Sequence, residues 1–467
     1  VSRGMVLLPV ASGTGRSDNM VLLPLSTGGA QHRFLIDEVG DAGGAYSFQA
    51  LSTTYAGPVV NIRRASDDEA QDFTAAQVIS DLPTFLDSTT GFVVTWYDQA
   101  GSNDVTQATT ASQPQALQDD NGYWFANCTA KHLAAASFIG SQTNSTVHVI
   151  WQCQSDGAIS VTSPQGGINL GSSNNILVPW WTTTQSPNFK DAGSTSFNWA
   201  DNHPRQHVFK FLNGTETSFE FASDGRTPYT VANPAYDELD IGASLVDGNF
   251  RVYEFVVFTK DADQDLIFQI TKNNYPAFFT LDTLWLNMGD SNTAAGFSHP
   301  GSEWTAVQVQ TQPITGPYFS RALGGYTIQH FLDNPDDMTF FFENFTYTDS
   351  KVILFLGTND LVTDGITGAE AYAKLVGLAG IMRDAGAATI AAITMLPRTT
   401  GAPNFDTNRD EFNDLLIANA DDVFDIVIDT TANPDLQDQN DTTYFADTTH
   451  LNDTGQAVLA SMVVAAF

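Results

Sequence analysis

The 467-residue chain is poor in positive charge, nearly free of cysteine and without a long apolar run. Lysine and arginine total 19 against 53 acidic residues, a formal net charge of −34. A field of that sign repels the phosphates of DNA and RNA and anionic membrane surfaces, which excludes nucleic-acid binding and leaves neutral ligands, glycans and cations open. Two cysteines, Cys128 and Cys153, cannot build a disulfide-dense scaffold or a four-thiolate zinc site, and their separation leaves open whether they pair. The longest apolar stretches, such as Lys351–Leu356, are strand-sized, against the ~20 residues a bilayer demands, so no membrane insertion is expected. No basic region, apolar run and cleavage site stand in series at the N-terminus, so no secretory signal is visible. What is present is core material: hydrophobic residues make up 42% and aromatics 11%, enough for two or three domains at this length.

Residues 1–34 stand apart. Met5-Val6-Leu7-Leu8-Pro9 recurs as Met20-Val21-Leu22-Leu23-Pro24, with Gly, Ser, Thr and Asn between. Two copies are too few for a solenoid. The segment reads either as a linker with two apolar spots or as an arm whose short strands dock on a second copy or a larger assembly.

From 35 to 277 the pattern is β. Gly91–Tyr97, Thr146–Trp151, His207–Leu212 and Phe250–Phe258 are rich in β-branched and aromatic residues, and turn-forming clusters separate them. Many short strands without intervening helices predict an all-β sandwich, with a single helix near Asp263–Ile270. A boundary falls between Asn274 and Asp282, at Pro276 and a change of period, so a fragment of 35–277 is expected to fold alone.

In this region Ala45-Tyr46-Ser47, Tyr55-Ala56-Gly57-Pro58, Arg63–Asp68, Thr95–Gly101 and Gln113-Pro114 follow one another in an order that resembles the concanavalin A-like jelly roll of the arabinofuranosidase B catalytic domain, a module also met in phage tail and surface proteins. The resemblance implies a carbohydrate-facing jelly roll. The family's catalytic carboxylates find no match here. Trp124, Trp180 and Trp181 are candidates for stacking on sugar rings, or else core and rim aromatics.

From 282 to 467 strands alternate with helices. Thr283–Met288, Lys351–Leu356, Ala388–Thr394 and Val423–Ile428 read as buried strands; Ala369–Arg383, Arg409–Ala418 and Thr454–Ala466 read as helices. That alternation predicts an α/β domain with a flavodoxin-like parallel sheet and its active residues at the carboxyl ends of strands.

Gly289-Asp290-Ser291-Asn292 follows directly on one of those strands, where a serine stands exposed with helix N–H groups behind it. Gly357-Thr358-Asn359-Asp360 ends a second strand, and Asp447-Thr448-Thr449-His450 precedes the last helix, while Gly324-Gly325 lies between the first two blocks. Taken singly, each is an ordinary turn, cap or surface histidine. Their order resembles the SGNH hydrolases, also called GDSL esterases and lipases. The resemblance implies Ser291 as nucleophile, His450 as general base and Asp447 as the carboxylate that orients it. It implies an oxyanion hole from the Ser291 N–H, a glycine N–H (Gly325 preferred over Gly324) and the Asn359 amide. Gly325-Tyr326-Thr327 lacks the acidic residue often found there, and Asn292 stands where many members carry leucine. No cofactor or metal is expected, since His299 and His330 show no ligand spacing.

Together these readings point to a serine esterase that removes acyl groups, acetyl foremost, from a polysaccharide. The alternative is a virion or cell-surface adhesin whose hydrolase domain trims a glycan or is vestigial. Either places the protein outside the cell or on a virion.

Overall fold

The computed structural model describes residues 5–8, 21–24, 31–128, 131–135, 138–140, 142–153, 168–170, 176–177, 204–212, 215–220, 229–230, 239–241, 250–294, 318–322, 324–400, 402–419 and 423–467. Trp180, Trp181 and His299 lie outside them, as does the Cys153 side chain. Met5–Leu8 of the first Met-Val-Leu-Leu-Pro copy pairs antiparallel with Val21–Pro24 of the second, with Met5 opposite Pro24 and Leu8 opposite Val21.

The next region is an antiparallel sandwich. Phe250–Phe258 pairs with Asn144–Cys153 along one edge and with Ala42–Ser47 and Trp124–Asn127 along the other. Alternate side chains of this strand serve two cores. Val252, Phe255 and Val257 pack inside the sandwich with Ile62, Val93 and Trp96. Val256 and Phe258 face the other way, beneath helices Leu35–Val39 and Gln264–Asn274, where they meet Leu35, Ile267 and Ile270. A strand covered on both faces needs apolar residues on both, which is why Phe255–Phe258 reads as one apolar run.

The expectation of strands without intervening helices needs correction. Among the described residues three short helices occur here, Leu35–Val39, Ala75–Ser80 and Leu82–Leu86. The second opens on a capping box, with the Thr74 hydroxyl accepting from Gln77 N–H and the Gln77 side chain accepting from Thr74 N–H. Local capping therefore made helices where apolar periodicity was too short to show them.

The C-terminal region is an α/β domain with a five-stranded parallel sheet. Its strands are β1 (Thr280–Gly289), β2 (Tyr318–Ala322), β3 (Thr346–Phe355), β4 (Thr389–Ile393) and β5 (Ile426–Ile428), in spatial order β2-β1-β3-β4-β5. This is the flavodoxin-like order, and its reversal between β1 and β3 opens a crevice at their carboxyl ends. The helices that matter to the site are α1 (Ser291–Ala294), α2 (Ile328–Asp333), α3 (Gly368–Ala385) and α4 (Asp453–Ala466).

The junction between the two regions is buried. Tyr275, Phe278 and Phe279 are each at most 3% exposed. They share one apolar cluster with Phe125, Ile150 and Tyr253 of the sandwich and with Leu284, Leu286 and Phe345 of the α/β domain. Polar bonds fix the same seam: Glu254 accepts from the Tyr275 hydroxyl at 3.0 Å and contacts His148 Nε2 at 3.0 Å. The junction is thus shared core in place of a free linker.

Candidate active site

Strand β1 ends at Gly289 and the chain turns at once into α1, so Ser291 stands at the sheet's carboxyl edge. Asp290 shapes this turn, its carboxylate accepting from Asn292 N–H at 2.9 Å and its carbonyl from Thr293 N–H at 3.1 Å. Buried Gln456 of α4 reaches across to donate to the Asn292 carbonyl at 3.0 Å, tying the turn to the last helix.

Just before that helix, the Asp447 carboxylate folds its own loop. One oxygen accepts from Thr449 N–H and His450 N–H, both at 2.7 Å, and the other lies 2.8 Å from His450 Nδ1. The spacing of three follows from this geometry, since one carboxylate both closes an Asx turn and meets the ring of the residue that the turn presents. A Nδ1–H directed at Asp447 leaves Nε2 as the acceptor, and Nε2 lies 2.9 Å from Ser291 Oγ. Partial burial pushes the Asp447 carboxyl up, but the bonds from the His450 ring and from the two N–H groups outweigh it and hold it below the usual carboxylate range. The His450 side chain is 14% exposed and that of Asp447 48%, so the ring is shielded while the carboxylate remains in contact with solvent.

Asn359 sits at the carboxyl end of β3, 9% exposed, and donates to the Tyr326 carbonyl at 3.0 Å. That bond joins it to the Gly324-Gly325 loop. Of the two glycines, Gly324 is the one beside the serine: a Cβ placed on it would lie 3.8 Å from Ser291 Cβ, whereas one on Gly325 would meet nothing within 4 Å. Gly325 instead takes a φ of 87°, in the left-handed region where only glycine is unstrained. The structure thus brings Ser291, His450 and Asp447 into one chain of contacts, with Asn359 tied to the loop whose first glycine approaches the serine.

Three further residues of this edge carry no role in the sequence reading. Asp360 is fully buried and accepts from Ile328 N–H at 2.9 Å, pinning α2 and the loop before it to the Asn359 turn. Burial pushes its carboxyl up to about 6. Asp290 is 2% exposed, and its burial, partly offset by the Asn292 N–H and the Arg398 cation, pushes its carboxyl up to about 7. Arg398 follows β4 and reaches Thr358 Oγ1 at 3.4 Å. The available signal was position alone, since each lies at or just after the end of an apolar strand. Other candidates have structural places. Trp124 is partly buried and stacks on Phe48, and His330 stacks on Tyr326 with ring centroids 3.8 Å apart. Among the described residues no group of three or more His, Cys, Asp or Glu is placed to hold a metal ion, and no helix is long and apolar enough to cross a membrane.

Residues 288–458 match the GDSL-like Lipase/Acylhydrolase family. No curated protein matches the chain. Among solved structures, an α-L-arabinofuranosidase is 15% identical with a TM-score of 0.37, covering 52% of this chain and 64% of its own, so the chain spans less than two thirds of that enzyme. A lipolytic protein of the G-D-S-L family from Veillonella parvula is 22% identical with a TM-score of 0.33, covering 40% of this chain and 98% of its own. An acetyl-xylooligosaccharide esterase from a Geobacillus species is 16% identical with a TM-score of 0.31, covering 39% of this chain and 93% of its own.

Proposed function

We propose, from the premise that the C-terminal domain is an SGNH-type hydrolase, that the chain is a serine esterase which removes acyl groups, acetyl foremost, from a polysaccharide. The observation that carries this reading is the contact chain from Ser291 Oγ through the His450 ring to Asp447. In the proposed reaction Nε2 takes the hydroxyl proton as Ser291 Oγ attacks the acyl carbonyl. Collapse of the tetrahedral intermediate breaks the bond to the sugar oxygen, which receives the proton from His450. Water, deprotonated by the same ring, then releases the acid and restores the serine.

The Ser291 N–H, the Gly324 N–H and the second N–H of the Asn359 amide are the proposed donors to the oxyanion, the first amide N–H being held by Tyr326. Gly324 replaces Gly325 in this assignment because it is the one that nears Ser291. A polysaccharide substrate is supported by the order of jelly-roll motifs in 35–277, and the net charge of −34 favours neutral over anionic glycans. A polysaccharide substrate agrees with a place outside the cell or on a virion.

The test compares p-nitrophenyl acetate with the octanoate ester and follows acetate release from acetylated xylan. Acetate preferred at least tenfold, with acetate freed from the polymer, is the expected result. Preference for octanoate makes the enzyme a lipase, and no turnover in any arm removes the esterase reading.

A further inference from the structure

Arg398 has no part in the reaction drawn above, yet it lies between its two halves. It follows β4 at the same sheet edge as Ser291 and Asn359. With Asp290, Asn292, Thr358 and Thr449 it forms the polar side of a cavity of about 10 Å³ whose other walls are apolar. Two of these residues, Asp290 and Asn292, belong to the serine turn, and Thr449 belongs to the loop that presents His450. The next residue strengthens the link, since Thr399 N–H donates to the Thr448 carbonyl at 2.9 Å.

The charges agree with this placement. Arg398 interacts with the carboxylates of both Asp290 and Asp447, and Asp360 adds its negative field on Asp290. Arg398 Nε and Asn292 Oδ1 are buried with no hydrogen-bond partner, a donor and an acceptor bordering the same cavity. The space suits one water that accepts from Nε–H and donates to Oδ1, completing a bridge between arginine and serine turn.

We propose that Arg398 is a positioning residue for the serine esterase reaction, clamping the Asp447–His450 loop against the Ser291 turn by its charge and by a water-bridged contact to Asn292. The inference rests on the serine esterase reading. A guanidinium suits the task because it stays charged when half-buried and offers several fixed donors, whereas an ammonium offers charge without Nε.

The experiment measures kcat, KM and the pH dependence of kcat/KM on p-nitrophenyl acetate for the wild type, Arg398→Met, Arg398→Lys and Ser291→Ala. In Arg398→Met, kcat is expected to fall about tenfold with KM unchanged, because a loosened loop misplaces the base. The acidic midpoint of its kcat/KM profile moves upward, because the cation that interacts with the Asp447 carboxylate beside the His450 ring is gone. Asp290 acts the other way by becoming more neutral, so the upward move is larger in an Asp290→Asn background. Arg398→Lys keeps the wild-type midpoint but regains only part of kcat. A merely structural loss would lower activity without moving the midpoint. An unmoved midpoint in Arg398→Met, or an equal shift in Arg398→Lys, overturns the proposal. If Arg398→Met does not fold, Arg398→Lys decides alone: a wild-type kcat or a shifted midpoint overturns the clamp. Turnover persisting in Ser291→Ala defeats the serine reading itself; an inactive Ser291→Ala beside an unaffected Arg398→Met defeats only the clamp.

Discussion

His450 Nε2 lies 2.9 Å from Ser291 Oγ although 159 positions separate the two residues. The parallel sheet makes this contact. Ser291 follows β1, near the middle of the sheet, and His450 precedes α4, which docks back across that edge through Gln456. The serine proton therefore has an acceptor in place before substrate arrives.

Replacing Ser291 with alanine should remove ester hydrolysis by about 10⁴-fold or more, with little effect on folding, because the hydroxyl alone forms the acyl-enzyme. Wild-type turnover in the folded variant would reject the serine as nucleophile. A fluorophosphonate should label the wild type at Ser291 and leave the variant unmodified.

Asp447→Asn separates the two tasks of this carboxylate. The amide oxygen can still accept from Thr449 N–H and His450 N–H, so the loop should keep its shape and the melting temperature should barely change. Its N–H₂ group cannot accept from Nδ1–H and favours the wrong tautomer, so kcat should fall by about 10³–10⁴. Because the carboxyl titrates below its usual range, its hydrogen-bond contribution to stability is present above about pH 4 and lost as pH falls through the lowered folded value. An equally fast Asn variant would show that Asp447 does not orient the ring.

The paired glycines should respond differently to alanine. Gly324→Ala adds a methyl in ordinary contact with Ser291 Cβ, 3.8 Å away, so the fold should tolerate it and any loss should fall on the reaction through the proposed oxyanion donor. Gly325→Ala has open space but a φ of 87°, so it should cost about 1–2 kcal/mol of stability at closer to normal kcat. Urea unfolding and kcat on the two variants check the contrast, and reversed behaviour would reassign the glycine that serves the oxyanion.

Asp290 predicts a stability that declines with rising pH. Its carboxyl titrates at about 7 when folded, against 3.8 for an ordinary aspartate, so the native state binds the proton more tightly. The unfolding free energy attributable to it therefore falls as pH rises from about 4 to about 7 and is level above that. The whole span amounts to at most ~4 kcal/mol, with Arg398 and Asp360 sharing in what is observed. Asp290→Asn removes the term: it should gain stability relative to wild type at pH 8 and lose that advantage near pH 4.5. Urea midpoints at the two values decide this, and an equal difference at both would mean that Asp290 does not titrate in this window.

Cutting the chain after residue 277 should expose apolar surface. Phe125, Ile150 and Tyr253 pack in one cluster with Phe278, Phe279 and the α/β core, and the cut removes Phe278, Phe279 and the α/β members of that cluster. A fragment of 35–277 should bind a hydrophobic dye and aggregate, while the whole chain unfolds in one transition. A monomeric fragment with native-like circular dichroism would show that the sandwich carries its own core.

Much of this molecule was legible in one dimension. Alternation of strands and helices after 282 specified the parallel sheet, because buried parallel strands are apolar on both faces and their helices carry a different period. The order Ser291, Asn359, Asp447, His450 located the reactive edge, because each block ends a strand or precedes a helix. Other features had no linear signature. The short helices at Ala75–Ser80 and Leu82–Leu86 depend on a capping box and a turn, and are too brief to show a helical period. The junction Pro276–Phe279 carries the proline of a linker, yet its aromatics are buried because two sheets close over them. The roles of Gly324, Asp290 and Arg398 follow from which atoms the fold brings within a few ångströms of one another. Periodicity and motif order record which face of an element is buried; tertiary packing alone decides which distant groups share an enclosed, charged space, where burial moves an aspartate to about 7 and the fold sets an arginine between two loops.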